Sequence, residues 1–354
     1  VISFSIFDLA GRKTPTKSKI ENPKSNMNQY SAIIAGTGSC LPEKRLTNAD
    51  LSKMVDTNDE WIVQRTGIKE RRIAGPGEST LTFASKAATM ALKAAGLEPK
   101  HLDLILCATV TPELSMPSTA CLVGAALGLD RTPAFDISAA CSGFLYGLHT
   151  AGAFIESGRY KNILVIGAET LTRVVDYQDR SSCILFGDGG GAVVLSRSQE
   201  PNRGLLHSSI HADGHGWEYL YTLPGARQPI TPEMIASRQH FMRIRGREIF
   251  KFAVSRFNEL IDDALEKTGL TIDDIKLIVP HQVNLRIIDS AMERLGLPRE
   301  KAYINIEKYG NTSAASIPIA LDEAVRLGKL KKGDVALMVA FGAGLTWANA
   351  VIRM

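Results

Sequence analysis

Long apolar runs are missing from this sequence. None reaches the roughly 18 residues that a membrane-spanning helix needs, so no membrane association is expected. Cysteine is sparse and scattered: Cys40, Cys107, Cys121, Cys141 and Cys183 form an odd set without a CxxC pair. That pattern argues against a disulfide framework and for a reducing compartment such as the cytoplasm. Neither sign of charge dominates. Lys plus Arg number 41 against 37 Asp plus Glu, and a net charge of +4 is too weak to argue for a nucleic-acid partner. It does suit an acidic protein partner or substrate. What is present, 45% hydrophobic and 22% charged residues over 354 positions, is ordinary for a globular chain of two or so domain-sized units.

The first 26 residues differ in texture from the rest. They mix Lys, Pro, Ser and Asn without periodicity, and Met27 stands just ahead of a strand-like run, Ser31 to Ala35. Residues 1–26 therefore read as a disordered or non-native N-terminal extension, and Asp8 and Glu21 argue against a transit peptide. From there the chain alternates strand and helix patterns. Thr80 to Ala95 predicts a helix capped by Ser79 or Thr80 and stopped by Gly96. Leu102 to Ala108, Ala134 to Ile137, Asn162 to Gly167, Ile275 to Val279 and Val335 to Phe341 read as strands. Further helices are expected at 118–127, from Cys141 to about Ser157, at 247–267, at 285–295 and at 313–327. Continuous apolar strands alternating with helices indicate an α/β chain with buried sheets.

Two internal matches suggest duplication. Leu92-Lys-Ala-Ala-Gly-Leu with its following Leu102 to Ile105 aligns with Leu265-Glu-Lys-Thr-Gly-Leu and Ile275 to Ile278. Phe186-Gly-Asp-Gly189 aligns with Phe341-Gly-Ala-Gly344, each leading into a strand-like run. The bland alternative is that any α/β chain repeats glycine-ended helices. Duplication divides the chain into halves 27–204 and 205–354.

Three short segments carry chemistry. Cys141 lies in Ser138-Ala-Ala-Cys-Ser-Gly-Phe144, between a predicted strand and a predicted helix. At a helix N-terminus, unpaired N–H groups and the helix dipole favour a thiolate and are expected to lower the thiol pKa. His281 follows Pro280 at the carboxyl end of a predicted strand, where α/β sheets present ligands. Asn311 opens Gly310-Asn-Thr-Ser-Ala-Ala-Ser316, ahead of a small-residue helix. Taken singly, such a His is often structural and such an Asn a simple cap. Their shared strand-end-to-helix setting joins them. His207, His211 and His215 lack both a common helical face and an acidic or Cys cluster, so no metal site is expected. The glycine runs at 36–38 and 187–191 lack the full pattern of a phosphate or dinucleotide loop.

These segments, together with Asp56-Thr-Asn-Asp-Glu-Trp-Ile62, Arg65-Thr-Gly-Ile68, Phe186-Gly-Asp188, Asn284-Leu-Arg286 and Phe341-Gly-Ala-Gly344, resemble the β-ketoacyl-acyl carrier protein synthase III family from Met27 to Met354. The resemblance implies a thiolase fold with a layered α-β-α-β-α architecture. It also implies an acyltransferase that condenses an acyl-CoA, acetyl-CoA being the expected starter, with malonyl-acyl carrier protein in fatty acid biosynthesis. By this resemblance Cys141 takes the acyl group, while His281 and Asn311 hold the malonyl thioester oxygen as CO₂ leaves. The backbone N–H groups of Cys141 and Ala343 form an oxyanion hole, Ala343 standing where many relatives have Gly, and Phe341 packs beside the reacting groups.

Trp61, Arg65, Thr66, Arg180, Gly246, Phe250 and Asn284 match positions for CoA and its pantetheine arm; indole stacking and guanidinium forks suit a purine and phosphates. Arg286, Lys251 and Arg256 match carrier-protein docking positions, and Met116 a residue lent to the acyl pocket of a partner subunit in a homodimer. Acyl-CoA is then a substrate, and no separate cofactor is implied. Two other readings stay open: a condensing or acyl-transferring enzyme of polyketide or quinolone metabolism, and a non-catalytic acyl-CoA-binding relative.

Overall fold

The computed structural model describes residues 30–354, so the extension expected at 1–26 lies outside the described residues. Two sheets organise the chain. The first contains β1 (Ser31–Cys40), β2 (Leu104–Ala108), β3 (Ala134–Ile137), β4 (Asn162–Thr170) and β5 (Asp188–Ser198), in the order β1-β5-β4-β2-β3. The second contains β6 (Gly204–Ala212), β7 (Ile275–Pro280), β8 (Val335–Gly342) and β9 (Thr346–Arg353), in the order β7-β8-β9-β6. The helices that matter for the site are α1 (Asp59–Thr66), α2 (Thr80–Ala95), α3 (Gly143–Glu156), α4 (Gly246–Thr268), α5 (Leu285–Arg294) and α6 (Ser316–Arg326).

The two sheets repeat one pairing scheme. β2 runs parallel to β4, β4 antiparallel to β5, and β5 antiparallel to β1. Correspondingly, β7 runs parallel to β8, β8 antiparallel to β9, and β9 antiparallel to β6. Even β3, which lies parallel to the outer side of β2, has a trace in the second sheet: a parallel bridge between Ile278 and Ala302. The first sequence match falls on equivalent places, whereas in the second Phe341 lies on β8 and Phe186 in the loop before β5. Gly96 and Gly269 both end helices in the left-handed region, at φ 66° and 68°, and Ile105 and Ile278 sit on β2 and β7.

Alternation along the strands sets the layers. Leu104, Leu106, Ile163 and Val165 face α3 and α6, whereas Ile105, Cys107, Leu164 and Ile166 face α2. In the second sheet Leu277, Val279 and Met338 face the same central pair, and Ile278, Leu337 and Val339 face α4 and α5. The result is a five-layer α-β-α-β-α sandwich with α3 and α6 in the middle. Phe144, Leu145 and Leu148 of α3 are fully buried there, each such side chain contributing about 1.5–3 kcal/mol. Among the described residues no helix is long and apolar enough to cross a membrane.

Most expected elements occur at their expected places; α2 runs over Thr80–Ala95, with Ser79 at its N-cap and Gly96 at its end. The two central helices differ. A 3₁₀ turn, Ala140–Ser142, precedes α3, and another, Ser313–Ala315, precedes α6. Ala140 (φ 47°) and Ser313 (φ 48°) occupy the left-handed region just where each turn begins, which delays the regular helix. These twin turns carry the site.

Candidate active site

The Cys141 turn is wedged between its twin and the end of β8. Gly167 on β4 lies so close to the second turn that a Cβ there would come within 2.2 Å of the Ala314 carbonyl oxygen. At Gly342 a Cβ would stand 2.7 Å from the Cys141 backbone nitrogen. Glycine at both positions lets the three backbones meet. The N–H groups of Cys141 and Ala343 donate to no backbone carbonyl among the described residues, which leaves both able to receive an oxyanion.

The Cys141 side chain is buried at 8% exposure. The expectation of a lowered thiol pKa is overturned. Burial pushes the thiol up to about 12, with the Glu169 carboxylate adding to the effect, while the Ser313 hydroxyl and the residue's own N–H pull the other way. Desolvation in an apolar pocket outweighs these hydrogen bonds, so the resting group is a neutral thiol.

His281 follows β7 and is fully buried. Its Nδ1 lies 2.7 Å from Ser316 Oγ, and its Nε2 has no partner among the described residues. Burial drives its pKa down to about 3, so the imidazole is neutral. Asn311 is held by its backbone, its N–H donating to the Leu185 carbonyl (2.8 Å) and its carbonyl accepting from Gly187 N–H (3.0 Å). Its Oδ1 accepts the Ser313 N–H at 2.8 Å, which leaves Nδ2 as the free donor. Phe341 packs edge-on to His281, ring centroids 5.9 Å apart.

Two cavities meet at Cys141. One is lined by His281, Asn311, Phe341, Phe186, Leu220, Gly246, Phe250 and Asn284. The other is lined by Val110, Leu171, Val174, Phe186, Leu220, Met242, Ser313 and Ala343. The first holds the two side-chain donors, His281 and Asn311, and the second holds Ala343; apolar side chains dominate the lining of both.

The remaining expected residues divide. Gly246, Phe250 and Asn284 line the first cavity, although the Asn284 amide is itself bonded to the Arg65 carbonyl and to Arg286 N–H. Arg65 and Arg180 lie over the two-ring face of Trp61 at 5.4 and 4.8 Å, forming one cluster. Arg286 stands over Phe250 at 5.5 Å, and Lys251 is exposed. Thr66 is 2% exposed, and its hydroxyl donates to the Ile62 carbonyl at the end of α1. Arg256 is paired with Glu259 and stacked on Trp347, as Arg180 is paired with Asp56 and stacked on Trp61. Met116 is 83% exposed and lines neither cavity of its own chain. His207 bonds Asp263, His211 stacks on Trp347 and His215 bonds Asp213.

Several wall residues gave no signal in sequence. Leu220 and Ile244 come from a two-residue ribbon, Leu220–Tyr221 with Arg243–Ile244, too short for any periodicity. Ser313 and Ser316 stand inside the Gly310–Ser316 motif, but their roles depend on where the second turn places them.

A duplicated five-layer α/β fold with a thiol between two oriented hydrogen-bond donors defines a thiolase-fold condensing enzyme. Family models described as 3-oxoacyl-[acyl-carrier-protein] synthase III match residues 135–214, and the corresponding C-terminal model matches residues 265–354. The chain is 55% identical over 327 residues to a beta-ketoacyl-[acyl-carrier-protein] synthase III of Caldanaerobacter subterraneus subsp. tengcongensis, covering 92% of this chain and 98% of that one. The crystal structure of the Aquifex aeolicus 3-oxoacyl-[acyl-carrier-protein] synthase III superposes with a TM-score of 0.85 at 50% identity, covering 91% of this chain and all of that one. A priming β-ketosynthase of the R1128 polyketide pathway also superposes, with a TM-score of 0.85 at 36% identity and coverage of 91% and 96%. The chain belongs to the 3-oxoacyl-[acyl-carrier-protein] synthase III family.

Proposed function

We propose that this enzyme condenses a short acyl-CoA, with acetyl-CoA the expected starter, with malonyl-acyl carrier protein. The products are a 3-oxoacyl-acyl carrier protein, CoA and CO₂, and the step initiates type II fatty acid biosynthesis. The observation that carries this reading is the convergence of Cys141, His281 and Asn311 on one cavity, the latter two presenting side-chain nitrogens with no partner among the described residues.

In the first half-reaction the Cys141 sulfur attacks the acyl-CoA carbonyl, and the backbone N–H groups of Cys141 and Ala343 receive the oxyanion. The thiol proton leaves with the CoA sulfur as the C–S bond breaks. In the second, Nε2–H of His281 and Nδ2–H of Asn311 donate to the malonyl thioester oxygen. The bond to the carboxylate breaks, CO₂ departs, and its electron pair becomes an enolate held by those two donors. The enolate carbon then attacks the acyl-Cys141 carbonyl, a C–C bond forms, and the sulfur is released and reprotonated. A neutral His281 suits the donor role, since the site needs hydrogen bonds to a developing anion and no permanent charge.

Trp61, Arg65 and Arg180 would receive the adenine and phosphates of CoA, and Lys251 and Arg286 the acidic carrier protein. Acyl-CoA is here a substrate, and the chemistry calls for no further cofactor. The halves 27–204 and 205–354 would each supply one side of the site. A homodimer is supported by the outer strand β3, whose far edge is unpaired within the described residues, and by Val110, Leu114, Met116 and Phe135, all large apolar residues exposed on a single chain. Pairing there would let Met116 reach the partner's acyl pocket. A cytoplasmic location follows from the substrates. The polyketide-priming relative shares the fold at lower identity, and no residue of the site favours that role over the fatty-acid one.

The test uses radiolabelled acetyl-CoA followed by malonyl-acyl carrier protein or malonyl-CoA. Label should appear on Cys141, vanish in Cys141→Ala, and enter a 3-oxoacyl product with the carrier-linked substrate. Equal product from malonyl-CoA would instead favour a secondary-metabolic condensing enzyme, and labelling that persists in Cys141→Ala would overturn the mechanism.

A further inference from the structure

A neutral imidazole carries one proton, and which nitrogen holds it decides whether the group donates or accepts. At His281 the choice is legible from the partner of Nδ1. Ser316, the first residue of α6, is 2% exposed, and its Oγ lies 2.7 Å from that nitrogen. The same oxygen accepts the Gln282 backbone N–H at 3.4 Å. Among the described residues no carbonyl or carboxylate accepts from the Ser316 hydroxyl. Its single hydrogen therefore has one destination, His281 Nδ1. Placing the imidazole proton on Nδ1 would turn two N–H donors onto one oxygen and leave the hydroxyl hydrogen unsatisfied in a buried place, whereas Nε2 lacks a partner in either tautomer.

We propose that Ser316 is a positioning residue that fixes His281 as the Nε2–H tautomer, so that the nitrogen facing the Cys141 cavity is permanently a donor. This inference rests on the condensing role given above and assigns His281 to the decarboxylation half-reaction. In the resting enzyme His281 is then no base for the Cys141 thiol, because the nitrogen in the cavity already bears a proton. Acylation of Cys141 accordingly does not depend on Ser316, whereas formation of the enolate does.

The test pairs spectroscopy with separated half-reactions. In ¹⁵N-histidine-labelled full-length enzyme, the His281 signals are identified by their loss in His281→Asn. Nδ1 should resonate as the bare nitrogen and Nε2 as the protonated one, across neutral pH. Ser316→Ala should shift this toward the other tautomer or a mixture and lower the turnover of malonyl-acyl carrier protein decarboxylation by about 10–100-fold. That loss is smaller than the roughly 10⁴-fold fall seen when a serine protease histidine is held in the wrong tautomer, because Asn311 still donates. KM should change little, and the rate of Cys141 labelling by acetyl-CoA should stay within about 3-fold, well under one 1.4 kcal/mol decade. Ser316→Thr keeps the hydroxyl and should restore most of the decarboxylation rate and the wild-type spectrum. A wild-type spectrum with the proton on Nδ1 overturns the inference, whatever the variants do. So does a Ser316→Ala enzyme with both half-reactions unchanged or both lowered equally. Absence of condensation in the wild type would instead count against the functional reading while leaving the tautomer result standing.

Discussion

The Oδ1 atom of Asn311 accepts the backbone N–H of Ser313 at 2.8 Å, and this one bond settles which end of the carboxamide faces Cys141. With the oxygen occupied, Nδ2 is the atom left for a ligand. The turn that bears Ser313 thus does two things: it starts α6 and it aims Asn311.

Asn311→Asp tests that aim with almost no change of shape. One carboxylate oxygen can keep the Ser313 N–H, but the other is an acceptor with a negative charge where an enolate must form. Decarboxylation should fall by about 10²–10³-fold, the range for removing an oxyanion donor. Acylation of Cys141 should persist. Measuring ¹⁴CO₂ release from labelled malonyl-acyl carrier protein beside Cys141 labelling separates the two; equal loss of both would show that Asn311 merely supports the turn.

Gly342→Ala tests the opposite side of the sulfur. The added methyl would lie 2.7 Å from the Cys141 nitrogen and 3.2 Å from the Cβ atoms of Ala140 and Cys141, against backbone that has no room to yield. The expected result is loss of acetyl-CoA labelling, because the Cys141 N–H is displaced as an oxyanion donor, with destabilisation of about 1–3 kcal/mol from overpacking. Labelling kinetics and a thermal melt check the two parts. Unimpaired labelling would mean that β8 does not press on the nucleophile turn.

Much of this was legible in sequence because it depends on local pattern. The glycine stop at Gly96, the Ser79 cap and the strand-to-helix setting of Cys141 are read within a few residues. The duplication was legible too, since Gly96 and Gly269 need the same left-handed conformation and so keep the same residue. What sequence misjudged is what burial decides. The helix start at Cys141 promised a lowered thiol, but the walls that bury it come from Leu171, Phe186, Leu220 and Met242, segments far apart in the chain. The partners of Thr66 and Arg256 were equally out of reach, since the Ile62 carbonyl that takes the Thr66 hydroxyl and the Glu259 and Trp347 that flank Arg256 are set by the folded helices and sheet.

Glu169 predicts a pH dependence of stability. It is fully buried, and its Oε2 accepts from the Thr111 hydroxyl (2.5 Å) and N–H (3.1 Å) and from the Thr109 hydroxyl (3.2 Å). Burial raises its pKa from 4.5 to about 7, against the pull of Thr111 and the Val110 N–H. The folded protein therefore holds this proton more tightly than the unfolded chain. Stability from this group is fully present below pH 4.5 and is lost as pH rises through 7, a change on the order of 3 kcal/mol. Glu169→Gln, always neutral, should remove that slope. Urea unfolding at about pH 5 and pH 8, on either side of the folded-state value, measures it; an equal slope in wild type and variant would contradict the assignment.

Arg71 supports Asn311 from behind. Its side chain is wholly buried without a carboxylate partner among the described residues, and burial lowers its pKa to about 10, leaving it charged at neutral pH. Its guanidinium donates to the Leu46 carbonyl (3.0 Å), Asn48 Oδ1 (2.8 Å) and the Ile184 carbonyl (2.7 Å). The last bond fixes the stretch whose next residues, Leu185 and Gly187, hold the Asn311 backbone. Lysine keeps the charge but offers a single point in place of a planar fork, so Arg71→Lys cannot reach both the 46–48 segment and Ile184. Its thermal stability should drop, with a loss of about 1–3 kcal/mol for each buried acceptor left without its hydrogen bond. In enzyme that remains folded at low temperature, decarboxylation should fall more than Cys141 acylation, since the 184–187 stretch bridges to Asn311. A folded Arg71→Lys enzyme with both half-reactions intact would show that the Asn311 backbone is held without the guanidinium.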